Sequence, residues 1–428
     1  MTYEQALDKI HSLDKFGSRP GLDRIQQLFD MLGDDLLAQK FIHVAGTNGK
    51  GSVCNMLSRV LTESGYKTGL FISPYITDFR ERIQINNELI SKEELASAVE
   101  YMCPMLEKLN EQGIIITEFE FLTAIAFYIF KQNECDIIVC ETGLGGLLDS
   151  TNLIKKPLCS VLTKIDLDHT AILGDTIELI TEQKCGIIKN NSITVSSAQS
   201  DVCADIIKAT ANDKHNELYT ADSIEFADIN LNLTGTTFEY LGKEYRIPLV
   251  GEHQVDNAKT AICTLKALAD NGLINLSDEA LRQGLGKAVN PARFEVLCTS
   301  PVVILDGAHN VNGMTAFKNA TLRFVEEKRA LLIGMLKDKD VDSALSIIQG
   351  MFDVVVVTDV PNPRNFDCYE LSDVCRRYFD KVVVQSDPCS AFDTALNIAK
   401  ENDYSLCIAG SLYLAGEIRP HIVEKLKN

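Results

Sequence analysis

The stretch Phe41 to Val53, FIHVAGTNGKGSV, decides the reading of the chain. Phe41 to Ala45 is an apolar run suited to a buried strand. Val53, Met56, Leu57, Val60 and Leu61 then recur at helical spacing. The turn between them, GTNGKGS (46–52), looks built for phosphate. Gly46, Gly49 and Gly51 let the backbone bend closely around phosphate oxygens, and the following helix offers free N–H groups and the positive end of its dipole. Lys50 adds a mobile cation and Ser52 a hydroxyl able to reach Mg²⁺. Yet the stretch departs from the common pattern G-x-x-x-x-G-K-[ST], with Val44 in place of the first Gly and Gly51 in place of the Ser or Thr.

Outward from this unit, apolar runs alternate with amphipathic stretches, as in a parallel sheet covered by helices. TGLFIS (68–73), DIIVCE (136–141) and LCSVLT (158–163) read as further strands, and Ser91 with Glu94 as a capping box. Between about 217 and 250 the period changes to two, the mark of a small β-meander. A second alternating series follows, with strands expected at 302–307, 329–335, 353–359, 381–385 and 405–410. The break GKAVNPAR (286–293) suggests two units, 1–290 and 291–428. The expected class is α/β, a doubly wound nucleotide-binding unit with a β-meander excursion, joined to a Rossmann-like unit.

Composition narrows the function. The chain has 428 residues and a net charge of -19 (41 basic, 60 acidic), which disfavours nucleic acid as the main partner. No apolar run approaches the length of a membrane span, and the start MTYEQALDKI has no signal-peptide core. The cytoplasm is therefore the default location. Thirteen cysteines, an odd count without C-x-x-C, read as reduced thiols.

In an open parallel sheet, ligands bind beyond the carboxyl ends of the strands. Ser73, Glu141, Asp166, Asp168 and His169 all follow predicted strands, as GTNGKGS does, so they should gather along one edge. Ser73, Glu141 and His169 could then supply metal ligands; the imidazole is unusual for Mg²⁺ and points to a second, more specialised ion site. TKID (163–166) resembles the guanine-reading motif of GTPases, which would make the chain a nucleotide-dependent switch. The loop spacing and the continuation LDHT argue against that.

These residues resemble a known family. HVAGTNGKGS, SP (73–74), FRERI (79–83), TEFEFLTA (117–124), GLGGLLDSTN (143–152), LDHTAILGDTI (167–177), QKCGIIK (183–189), LDGAHN (305–310) and GSLY (410–413) look like folylpolyglutamate synthase, of the ATP-dependent Mur-ligase superfamily. The resemblance implies a ligase in which a folate carboxylate attacks the γ-phosphorus of ATP. The resulting acyl phosphate is then captured by the amine of L-glutamate. By position, Thr47, Asn48, Gly49, Lys50, Gly51, Ser52, Asn257, Arg293 and Asp306 would bind ATP. Ser52, Ser73 and Glu141 would serve one Mg²⁺, and His169 a second.

Lys184 matches the lysine that is carbamylated in this superfamily, which would turn a cation into an anionic oxygen ligand; read without the resemblance, it is a helix-surface lysine. Lys50, His169, Lys184 and His309 would be the catalytic set, and His309 and Ser411 would meet the incoming glutamate. Folate would contact Arg19, Pro20, Gly21, Leu22, Thr117, Glu118, Phe119, Leu148, Asp149 and Ser150. Thr117 also reads as a helix cap with Glu120 as its partner. Many members carry Arg and Ala where this chain has Leu147 and Ser150, and Glu and Ala where it has Gln183 and Cys185. The lost Arg puts in question whether dihydropteroate is also a substrate, as in bifunctional members; SRPGL (18–22) together with the lost Arg leans toward polyglutamylation alone. A ligase acting on a cell-wall nucleotide peptide fits less well, since the folate-type stretches are present. A monomer is expected, with small molecules as its partners.

Overall fold

The computed structural model describes residues 1–14 and 21–427. The opening stretch forms β1 (Phe41–Ala45), fully buried, running through the Gly-rich turn into the helix Lys50–Glu63. Around it stand β2 (Thr68–Phe71), β3 (Ile83–Ile85), β4 (Glu88–Leu89), β5 (Ile137–Glu141), β6 (Cys159–Leu162), β7 (Ile193–Ser196) and β8 (Glu217–Thr220). The order is β4-β3-β2-β5-β1-β6-β7-β8. Pairings from β2 to β8 are parallel, and β3 and β4 add an antiparallel edge. Apolar residues of the two faces form separate cores: Val53, Leu57, Val60 and Leu61 pack on one, Phe41, Phe71, Phe121 and Phe127 on the other.

Two departures from the sequence expectation concern the edges. Strand β8 lies inside the stretch read as a meander but extends the main sheet; the meander itself is β9 (Ala227–Asn232), β10 (Gly235–Tyr240) and β11 (Lys243–Ile247). The β3–β4 hairpin carries too few residues for a period to register. Both capping boxes are present, at Ser91 with Glu94 and at Thr117 with Glu120.

The second sheet comprises β12 (Glu295–Thr299), β13 (Val302–Leu305), β14 (Arg329–Ile333), β15 (Val354–Val357), β16 (Val382–Val384) and β17 (Ser405–Ala409), in the order β12-β13-β17-β14-β15-β16. Only β12 with β13 is antiparallel, a strand that the reading missed. Asn55 Oδ1 accepts from Val289 N at 2.8 Å and Lys287 pairs with Glu63 at 2.7 Å, which fix the chain leading to the second sheet, and Arg323 beside that sheet pairs with Glu252 of the first unit. All thirteen cysteines are free. Among the described residues no helix is long and apolar enough to cross a membrane.

The helix that follows the loop is held from behind by the helix Asp278–Gly286. A Cβ on Gly284 would lie 2.4 Å from Val60 Cα, so the two backbones touch where no side chain fits. Gly284→Ala should therefore force the pair apart and lower stability by about 1–3 kcal/mol. Urea unfolding checks this; an unchanged midpoint would mean that the crossing is not a tight one.

Candidate active site

The loop is held from two sides. Thr47 N and Asn48 N both donate to Lys164 O, at 2.9 and 3.1 Å. Thr47 Oγ1 donates to Asp166 O at 2.9 Å, and Asn48 Nδ2 to Asp166 Oδ2 at 2.9 Å. The TKID segment thus braces the phosphate loop, which gives Asp166 a structural use unrelated to reading a base. Gly49 has φ +87°, and a Cβ there would fall 2.1 Å from Asn257 Oδ1, so Asn257 presses on the turn from the other side. Asn257 is itself held by donating to Gln254 Oε1 at 3.0 Å. No side chain caps the helix Lys50–Glu63, which leaves its first-turn N–H groups open to an anion.

Two lysines converge on this loop. Lys50 Nζ donates to Gly46 O at 3.0 Å, and Lys184 Nζ donates to the same oxygen at 2.9 Å. Lys184 is only 3% exposed, so the surface-lysine reading is wrong. Its helix, Ile177–Cys185, turns it inward together with Ile180, one turn before it. Burial first, and the charge of Lys50 second, push its pKa down to about 7, against the pull of Asp168 and Asp149. At neutral pH a large fraction of this amine is therefore uncharged.

Glu141 is 4% exposed and stands 4.0 Å from Lys50 Nζ. Its Oε2 accepts from Ser73 N at 3.0 Å. Burial raises its pKa, opposed by Lys50 and by the Ser73 N–H. Ser52 Oγ accepts from Asn290 Nδ2 at 2.7 Å, and the hydroxyl retains a second lone pair. A buried carboxylate with two serines beside it is an oxygen set suited to Mg²⁺, which completes its shell with water and phosphate. Among the described residues no three His, Cys, Asp or Glu side chains group closely enough to hold a metal by themselves. His169 adopts φ 48° at the start of the short helix Thr170–Leu173, with its side chain 57% exposed and 3.7 Å from Asp168.

These groups open into one cleft of about 1620 Å³. Thr47 to Ser52, Ser73, Glu141, His169, Asn257, Arg293, Asp306 and His309 all line it, although Lys184 lies behind Gly46. One lobe carries Gly21, Thr117, Phe119, Leu148, Asp149 and Ser150. Several polar groups there are already engaged. Thr117 Oγ1 donates to Glu120 Oε2 at 2.9 Å as part of its cap, and Arg24 pairs with Glu120 at 2.9 Å. Asp149 accepts from Leu144 N at 2.7 Å and Thr151 N at 3.0 Å, and Ser150 Oγ meets Thr123 Oγ1 at 2.7 Å. Leu22 and Glu118 do not line the cleft, and Arg19 and Pro20 lie outside the described residues.

The other lobe belongs to the second sheet. Asp306 follows β13, and its carboxylate accepts from Phe294 N at 2.6 Å and Ala308 N at 2.7 Å, while burial raises its pKa. His309 Nδ1 bonds Gly307 O at 2.8 Å, and burial lowers its pKa, keeping the ring neutral. Ser411 is buried away from the cleft, where its hydroxyl accepts from Tyr413 N at 3.1 Å. Sequence reading missed Asn290, His253 and Arg82, which also line the cleft. Asn290 sits in GKAVNPAR, read only as a break; an Asn before Pro beside a second unit was the available signal.

The Mur ligase middle domain matches residues 44–265, and the Mur ligase glutamate ligase domain matches 292–412. A relative from Bacillus subtilis, dihydrofolate synthase/folylpolyglutamate synthase, is 35% identical over 98% of this chain and 99% of its own. The solved folylpolyglutamate synthase of Thermotoga maritima is 34% identical, with a TM-score of 0.89 over 99% of this chain and 97% of that one. That of Mycobacterium tuberculosis, complexed with ADP and AMPPCP, is 30% identical with a TM-score of 0.86, covering 98% of this chain and 99% of that one. With a phosphate loop, a buried lysine behind it and a two-lobed cleft in front, the chain belongs to the folylpolyglutamate synthase family of Mur ligases.

Proposed function

We propose that this chain is an ATP-dependent ligase adding L-glutamate to the terminal carboxylate of folate or folylpolyglutamate, with release of ADP and phosphate. The observation that carries the reading is the single cleft joining the phosphate loop to a lobe on each side. A folate carboxylate entering from one lobe would meet the γ-phosphorus at Lys50, while the amine of glutamate would approach from the other. The carboxylate oxygen attacks phosphorus and ADP leaves; the amine then attacks the acyl carbon, and phosphate leaves with the former carboxylate oxygen. Two anions must come together in the first step, so charge neutralisation is the dominant requirement.

In this reading Lys50 and the open helix N-terminus hold the nucleotide phosphates, Asn257, Arg293 and Asp306 hold the rest of the nucleotide, and His309 belongs to the glutamate region, while Ser411, expected there, is buried outside the cleft. Ser52, Ser73 and Glu141 would hold Mg²⁺, and His169 with a carbamylated Lys184 a second ion, which would supply charge neutralisation at the phosphates. A carbamate needs an uncharged amine as its precursor, which the depressed pKa of Lys184 supplies. We take 1–290 and 291–428 as two units that close on the substrates, in a cytoplasmic monomer. The double name of the Bacillus subtilis relative keeps dihydrofolate synthesis as a second reading.

Incubation with ATP, Mg²⁺ and glutamate, offering tetrahydrofolate or dihydropteroate separately, tests this by mass spectrometry. Gain of a glutamyl unit on the first alone is expected, gain on both would establish the bifunctional reading, and gain on neither would sink the folate assignment. For Lys184, protein equilibrated with ¹³C-bicarbonate should show a protein-bound carbamate carbon that Lys184→Ala lacks, and a short carboxylate should partly restore turnover to the variant. Full activity of Lys184→Ala without the additive would remove Lys184 from the site.

A further inference from the structure

The segment FRER (79–82) holds three charged side chains, of which two are consumed locally. Arg80 pairs with Asp78, through Nε at 3.0 Å and Nη2 at 2.7 Å. Glu81 accepts from Ile76 N, Thr77 N and Asp78 N, at 2.7, 3.0 and 3.0 Å. Arg82 is different. Its guanidinium makes no hydrogen bond or ion pair with any described residue, and its Nε is buried without a partner. The group lies over the rings of Tyr75 and Phe79, its Cζ 5.2 and 5.7 Å from their centroids. It also lines the cleft.

Its place is fixed by backbone. Ile72 N donates to Arg82 O at 3.1 Å, which sets Arg82 beside Ser73 at the carboxyl end of β2. The neighbouring loop abuts the second sheet's helix Leu412–Lys427, where a Cβ on Gly416 would fall 1.9 Å from Ile76 O. Arg82 therefore stands at the seam between the two lobes. The carboxylates of Glu118 and Glu141 act on it electrostatically, yet neither comes within the 4.0 Å of an ion pair. Burial lowers its pKa, but a guanidinium does not lose its proton in a protein, so the cation stays and calls for an anion. The guanidinium N–H groups find no partner among the described residues, and a guanidinium matches a carboxylate in two parallel hydrogen bonds.

We propose that Arg82 is the specificity-determining anchor for the α-carboxylate of a glutamyl unit. The unit is either the terminal glutamyl of the acceptor or the incoming amino acid. This rests on the ligase reading above and adds how the enzyme orients a glutamyl group so that only its other reactive group reaches the phosphate loop. The nucleotide phosphates already have Lys50 and the uncapped helix, so Arg82 is assigned to the carboxylate.

The test removes the charge on each side in turn. Arg82→Met and Arg82→Lys are compared with wild type in two arms. One supplies L-glutamate or its α-amide as the amino acid; the other supplies folate or its α-carboxamide analogue as the acceptor. Wild type should prefer the carboxylate on the order of 100-fold in kcat/KM in one arm, which identifies the source. Arg82→Met should abolish most of that preference through KM, leave the KM for ATP unchanged, and spare the other arm. Arg82→Lys should retain part of the preference, and it carries the comparison if Arg82→Met does not fold. A preference unchanged in both arms, or a loss falling on kcat for every substrate or on ATP, overturns the assignment and leaves Arg82 a residue that lies over Tyr75 and Phe79. A wild type that ligates no glutamate overturns the ligase reading and this assignment together.

Discussion

One carbonyl oxygen, that of Gly46, accepts from two lysines, and the rest of the site is arranged around that crowding. Two ammonium groups on one acceptor repel each other, and the more buried of them yields. Lys184 is that group: desolvation and the field of Lys50 both favour its neutral form. The arrangement depends on Gly46 being at the end of β1, where the chain turns from strand to helix and its carbonyl faces back toward the helix Ile177–Cys185. Lys50 is left to face Glu141 and the cleft. A single backbone feature thus places one lysine in the cleft for phosphate and a second, largely desolvated one behind it.

The same economy runs through the cleft. Groups that line it are mostly held by bonds on their far side: Asp306 by two backbone N–H groups, Asn257 by Gln254, Thr47 and Asn48 by the segment after β6. This leaves their positions set before a ligand arrives, which is what positioning catalysis needs. Ser52 is linked by Asn290 to the break between the two sheets, so the hydroxyl next to the phosphate loop and the junction of the two lobes share a hydrogen bond.

Much of this was legible in the sequence. The strand–turn–helix at 41–63, the inner strands β1, β2, β5 and β6, the parallel strands of the second sheet and the two capping boxes follow from local periods and short-range chemistry, whereas β3, β4, β7, β8 and β12 did not register as strands of these sheets. What was not legible depends on tertiary placement. Lys184 reads as a surface lysine because its helix neighbours do not show that the phosphate loop covers it. Asp149, Ser150 and Ser411 carry the right functional groups, yet their polar atoms are largely engaged within the fold. Arg82 sits beside two charged residues that look equivalent in sequence, and only the structure reveals that Arg80 and Glu81 have polar partners while the Arg82 guanidinium has none among the described residues.

The central claim is that burial behind Gly46, with the charge of Lys50 added to it, keeps the Lys184 amine poised between its two protonation states at neutral pH. An NMR titration of lysines labelled at the ε-carbon, in bicarbonate-free buffer with Lys184 assigned by substitution, measures it directly. The account predicts a Lys184 pKa of about 7, moving upward in Lys50→Met as the second charge is removed. A Lys184 that titrates with the surface lysines near ~10.4, unmoved by that substitution, would contradict it.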